Sequence, residues 1–178
     1  MRLLLITWPS WSWKTTLQNQ LISEYSSEYS KVILTTCRQP RRGKNWDLIE
    51  KNWQDYHFLD SVNFWRNDLL FRFWNYWISK ENWDLWEGNQ SINTLACWFF
   101  VANFFFNLWL RNLGIIFMNT TYQDCYDRMI KHRWDVIEIN KRMNIFQEES
   151  QARNISDIII EPNYTISNVN YMIKKILK

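Results

Sequence analysis

A chain of 178 residues with 21 lysines and arginines against 18 aspartates and glutamates carries a formal charge of +3, which permits an anionic ligand but argues against nucleic acid, because Lys and Arg cluster only at residues 38–44. Three cysteines, Cys37, Cys97 and Cys125, form no C-x-x-C pair and, being odd in number, give no disulfide framework, so a reducing cytoplasm is expected. The length suits one domain with a real core; no signal peptide is apparent, and the apolar stretch 95–110, interrupted by Asn103 and Asn107, is too short to span a membrane.

In chain order, residues 2–7 form a continuous apolar run of the kind a central parallel strand carries when both its faces are covered. After a loop, Leu17, Leu21, Ile22 and Tyr25 recur at helical spacing, which predicts a helix from about Lys14 to the polar stretch at 26–28. Residues 32–36 read as a second strand. Residues 37–90 are polar and aperiodic, rich in Arg, Asn and Asp, and read as an inserted subdomain. The stretch 95–110 reads as a buried strand and helix, and 114–119 as a further strand, followed by a helix through Tyr122, Cys125, Met129 and Ile130. Residues 158–160 are the last predicted strand, and Val169, Met172, Ile173 and Ile176 make a closing amphipathic helix. Strands alternating with helices imply an α/β fold around a parallel sheet with right-handed crossovers.

The composition holds an anomaly of 13 tryptophans against 3 glycines, where ordinary usage of about 7% glycine would give roughly 12. Three of the tryptophans fall in Trp8-Pro9-Ser10-Trp11-Ser12-Trp13-Lys14-Thr15-Thr16, directly after the first strand. With glycine at 8 and 13 this stretch becomes G-x-x-x-x-G-K-[ST], the loop whose backbone N–H groups wrap phosphate oxygens. Glycine belongs there because the main chain adopts conformations closed to residues with a Cβ, and because phosphate approaches it closely. Trp53, Trp77 and Trp134 stand in other glycine-like contexts. These tryptophans read as glycine codons translated in the wrong code, since GGA and UGA differ at one base and reassigned codes read UGA as glycine or as tryptophan. UGA is then expected at positions 8, 11, 13, 53, 77 and 134, and UGG at Trp65, which matches no expected glycine. A genuinely tryptophan-rich, decayed domain is the alternative.

Thr35-Thr36-Cys37-Arg38-Gln39-Pro40-Arg41-Arg42-Gly43, followed by Asn52-Trp53-Gln54-Asp55-Tyr56-His57-Phe58, resembles the guanylate kinase signature T-T-R-x-P-R-x-G-E and N-G-x-D-Y-x-F. With the loop at 8–16 before these blocks, and Arg128, His132-Arg133-Trp134 and Asn140-Lys141-Arg142-Met143 after them, the resemblance covers nearly the whole chain. It implies a P-loop NTPase three-layer α/β fold with a parallel central sheet. The single domain would have its core at 1–35 and 89–178, a GMP-binding insertion at about 36–88 and a short lid at about 131–145.

The resemblance also implies transfer of the ATP γ-phosphoryl group to GMP, giving GDP and ADP, with Mg²⁺ as the cofactor that accompanies ATP, in a monomer or homodimer. Trp8, Pro9, Ser10, Trp11, Ser12, Trp13, Lys14, Thr15 and Thr16 would form the ATP phosphate loop. Within it, Lys14 would reach the β- and γ-phosphates and Thr15 would hold Mg²⁺ through its hydroxyl. Arg38, Arg41 and Tyr56 would bind the acceptor's monophosphate, with Tyr76 and Ser79 completing the GMP site. Arg133 and Arg142, and beside them Arg128, would neutralise charge at the lid, so Lys14, Arg133 and Arg142 are the expected catalytic residues. Positioned positive charge suits phosphoryl transfer, which needs orientation and charge compensation more than covalent help, and guanidinium forks suit phosphate oxygens.

The chain departs from the family in places. Lys44 stands where the family has Glu, residues 70–73 lack the carboxylate that reads guanine, and residues 89–123 hold no Asp or Glu, leaving Asn103 as the nearest substitute. Two alternatives therefore stand beside the kinase: a non-catalytic guanylate-kinase-like interaction module, and a related P-loop kinase of another small phosphate acceptor. His57 and His132 are too far apart in sequence to suggest a metal pair, and the phenylalanines at 99, 100 and 104–106 read as core rather than as a base-stacking surface.

Overall fold

The opening apolar run forms β1 (Arg2–Thr7), and Leu3 to Ile6 are essentially inaccessible to solvent. Alternate residues of a strand face opposite ways, so burial of all four means that both faces of the sheet are covered. Leu4 and Ile6 share a core cluster with Leu17 and Leu21 of α1 (Lys14–Glu24) and with Val169 and Ile173 of the closing helix α6 (Ile166–Ile176). The computed structural model describes residues 2–9, 13–40, 42, 48, 50–52, 56–59, 69–73, 76–80, 83–84, 90–108, 110–132 and 135–177.

Two compact units divide the chain, residues 1–31 with 90–178, and residues 32–89. In the first, β1 pairs with β7 (Ile92–Cys97) and β8 (Leu113–Met118), which are flanked by β2 (Tyr29–Lys31) and β9 (Ile158–Ile160). The order is β2-β7-β1-β8-β9, and every pairing is parallel. Between β7 and β8 runs α2 (Phe99–Asn107), and after β8 come α3 (Tyr122–His132), α4 (Val136–Asn144), the single turn α5 (Phe146–Glu149) and a 3₁₀ segment, Ser150–Ile155. This is the α/β architecture around a parallel sheet expected from the strand–helix alternation.

In the second unit, β3 (Thr35–Thr36), β4 (His57–Phe58), β5 (Leu69–Phe73) and β6 (Tyr76–Ser79) form a sheet of order β4-β3-β6-β5. Here the structure corrects a boundary. Residues 32–36 were expected to be one strand, but β2 ends at Lys31 and β3, in the other sheet, begins at Thr35. Val32 and Leu34 are buried without belonging to a strand, so the apolar run reported burial rather than pairing. The start of β7 was also hidden, because Asn93 and Thr94 are polar yet buried. Gln18 Nε2 donates to the Thr94 carbonyl at 2.8 Å, and the Thr94 hydroxyl donates to the Ser30 carbonyl at 2.8 Å, which satisfies groups that would be costly if orphaned.

Candidate functional site

Lys14 opens α1, and its ammonium donates to the carbonyls of Trp8, at 2.9 Å, and Cys97, at 3.2 Å. Those carbonyls lie at the C-terminal ends of the adjacent parallel strands β1 and β7, the edge at which α/β sheets bind ligands. The first turn of a helix adds N–H groups aimed outward, a favourable setting for phosphate. Burial holds the Lys14 ammonium below its ordinary value; the Glu149 carboxylate pulls it back up, and Arg142 pushes it further down. Lys14 and the half-buried Arg142 of α4 thus share one electrostatic neighbourhood, with the buried Glu149 as the main counter-charge. Thr15 and Thr16 are exposed on the first turn of α1. Burial pushes the Cys97 thiol up to about 12 and the Cys125 thiol up to about 11, so both are protonated at neutral pH.

The loop tryptophans take two different places. Trp8 is completely buried in the main core and stacks on Phe117, with ring centroids 6.0 Å apart and planes 25° apart. Its indole N–H finds no hydrogen-bond partner among the described residues. Trp13 is 42% exposed, and the Arg128 guanidinium lies 4.7 Å from its ring centroid, within cation–π range. Its backbone has φ −76° and ψ 18°, open to any L residue. The conformational argument for glycine therefore does not hold at position 13 of this chain, and what remains there is the space an indole occupies. Ser10, Trp11, Ser12, Arg41, Trp53, Arg133 and Trp134 lie outside the described residues.

The second unit gathers Arg38, Tyr56 and Tyr76. Arg38 Nε donates to the Tyr76 hydroxyl at 2.8 Å, and the guanidinium carbon stands 4.7, 5.5 and 5.7 Å from the ring centroids of Tyr56, Phe58 and Tyr76. Its remaining edge faces Glu50 in a two-point ion pair, Nη1 to Oε2 at 2.6 Å and Nη2 to Oε1 at 2.7 Å. Burial works against the Arg38 charge, but the hydrogen bonds to Glu50 and Tyr76 outweigh it and raise the pKa. Ser79 lies three residues beyond Tyr76 at the end of β6, an odd offset that turns it to the opposite face of the sheet. Trp77 is buried in β6 opposite Thr35 and Arg72. Asn103 sits mid-way along α2 and accepts from the Asn107 side chain through its carbonyl.

Sequence reasoning missed Glu50 and Glu149. Glu50 lies between the two signature blocks, and Glu149 follows the lid residues; neither belongs to a motif. Among the described residues, no group of three or more His, Cys, Asp or Glu could hold a metal ion, and no helix is long and apolar enough to cross a membrane.

The parallel five-stranded sheet, with a lysine-headed helix following its central strand, is the α/β arrangement of the P-loop NTPase fold. Among solved structures, the chain is similar to the guanylate kinase of Anaplasma phagocytophilum, with a TM-score of 0.69 and 17% sequence identity over 100% of this chain and 87% of that one. No family model matches the sequence, and no curated relative matches it. The likeness establishes the guanylate kinase fold.

Proposed function

We propose that the chain is a nucleoside monophosphate kinase that passes the γ-phosphoryl group of ATP to GMP, yielding ADP and GDP, in a form with glycine at positions 8, 11 and 13. The observation that carries this reading is the seat of Lys14, held by two strand-end carbonyls at the start of α1. When ATP enters, its phosphate oxygens replace those carbonyls as acceptors, and the negative charge they bring favours the ammonium that burial disfavours. Arg142 adds positive charge to the same neighbourhood, and Arg133 joins it in a lid at about 131–145. Thr15, exposed on the first helical turn, has the hydroxyl chemistry suited to the Mg²⁺ that comes with ATP, which would neutralise charge on the transferring group. Arg38, Arg41, Tyr56 and Tyr76 hold the acceptor's phosphate in an insertion at about 36–88, whereas Ser79, on the opposite face of β6 from Tyr76, is not assigned to that site. The same reading carries a cytoplasmic monomer or homodimer.

Glycine at position 8 is supported by the buried indole N–H of Trp8, which has no partner among the described residues, an arrangement that costs about 1 to 3 kcal/mol. The complete burial of Trp8 and the stacking of Arg128 on Trp13 equally favour a second reading, a non-catalytic interaction module in which the tryptophans are genuine. A coupled assay separates the two. The glycine-restored chain is expected to form GDP from ATP and GMP, and to prefer GMP over AMP and UMP. No nucleoside diphosphate from any acceptor would leave the interaction module, and turnover of another acceptor would reassign the substrate.

A further inference from the structure

The anion seat of the second unit is already filled by the chain's own carboxylate. Glu50 meets the Nη1/Nη2 edge of Arg38 fork on fork, at 2.6 and 2.7 Å, the geometry by which arginine binds a phosphomonoester. The other donors of that guanidinium are turned elsewhere: Nε donates to the Tyr76 hydroxyl at 2.8 Å, and Nη1 also donates to the Gln39 carbonyl at 3.0 Å. A phosphate seeking two-point contact with Arg38 must therefore take the same edge. The side chains of Arg38 and Glu50 are only 18% and 10% exposed, and three aromatic rings surround the guanidinium, so water screens the pair weakly.

We propose that Glu50 is an internal competitor for the acceptor seat: a nucleoside monophosphate binds by displacing the Glu50 carboxylate from Arg38, and Glu50 thereby sets the affinity threshold for acceptors. The inference rests on the reading of Arg38 as a ligand of the acceptor's phosphate. A phosphate dianion carries more charge than a carboxylate and can displace it. A monoanionic carboxylate ligand offers Arg38 nothing that Glu50 does not, and a nucleoside without phosphate leaves the pair in place. Glu50 is then a specificity residue that favours phosphomonoesters without touching them.

Calorimetric titration of the full-length chain with GMP, alongside its Glu50→Gln and Arg38→Lys variants, tests the idea. Glu50→Gln is expected to tighten GMP binding by about tenfold or more, because the competing anion is gone, and to leave guanosine binding unchanged. Unchanged or weaker GMP binding in Glu50→Gln, with Arg38→Lys much weakened, overturns the competition while leaving Arg38 as the phosphate ligand. Arg38→Lys binding GMP as well as the parent overturns the underlying reading instead. Because removing one partner of a shielded ion pair can unfold its surroundings, the unmutated chain supplies a second measurement. With ¹³C-labelled glutamate side chains, and with Glu50→Asp to assign the signal, the Glu50 carboxyl resonance is expected to move on saturation with GMP but not with guanosine. A resonance that stays still at saturating GMP overturns the proposal.

Discussion

At the level of single residues, Lys14 bears the heaviest expectation. Its ammonium is held by carbonyls from two strands, in a setting that disfavours its charge, so a polyphosphate gains more from it than from a solvated lysine. In the glycine-restored chain, Lys14→Ala should lower turnover by on the order of a hundredfold or more with the fold retained, since electrostatic stabilisation of developing charge is usually the largest catalytic contribution. Steady-state kinetics with ATP and GMP, beside circular dichroism for folding, measures this; unchanged turnover would show that Lys14 is not the phosphate lysine. Lys14, Arg38 and Tyr56 were singled out from the sequence because each sits at a fixed offset inside a motif. Glu50 was not, since its pairing with Arg38 depends on how the chain between the two signature blocks returns on itself. The side-chain environment of Trp8 was equally hidden, because its neighbour Phe117 belongs to a strand more than a hundred residues away.

At the level of elements, α3 shows how local chemistry sets a boundary. The Thr121 hydroxyl donates to Asp124 Oδ2 at 2.7 Å and accepts from the Asp124 N–H at 3.1 Å, while the Thr121 N–H donates to Asp124 Oδ2 at 3.3 Å. This is a capping box with aspartate as its acid. Hydrogen bonds from Thr121, more than any other contact, hold the Asp124 carboxyl below its ordinary value of 3.8. A depressed folded-state pKa contributes stability that is complete above the ordinary value and is lost as pH falls through the folded value. Thermal unfolding from pH 7 down to pH 3 should therefore show the parent losing its advantage over Asp124→Ala below about pH 4. Parallel profiles for the two proteins would show that the cap contributes no pH-dependent stability. The start of this helix was readable from periodicity, and so were β1, β8, β9 and α6, because each has an apolar pattern of its own period. That 32–34 join no strand while Thr35–Thr36 pair in the second sheet was not, since burial alone does not specify a strand's partner.

At the level of the whole molecule, the tryptophans decide whether the fold can work. Trp13 has an unstrained backbone, so any obstruction there comes from volume, while Trp8 has been absorbed into the core with an indole N–H that meets no acceptor among the described residues. Calorimetric titration with ATP is expected to detect no binding to the chain with tryptophan at 8, 11 and 13, and Mg²⁺-dependent binding to the chain with glycine there. Equal affinity in both would show that the loop does not require glycine, and would return the tryptophans to the status of native residues.

The position of residues 32–89 in the chain has a consequence for the order in which the protein assembles. They connect β2 to β7, which are hydrogen-bonded neighbours with Lys31 opposite Thr94. β2 therefore ends and β7 begins at points only about 8 Å apart, one strand spacing across and two residues along. As an open loop of about sixty residues it would have to be closed entropically before β2 and β7 could pair. An insert that folds first would present the two strands as if a far shorter loop joined them. Each halving of loop length is worth about 0.6 kcal/mol, so three halvings favour the pairing by about 2 kcal/mol. The second unit, besides carrying an anion seat, would then act as a template that speeds closure of the sheet into which it is inserted.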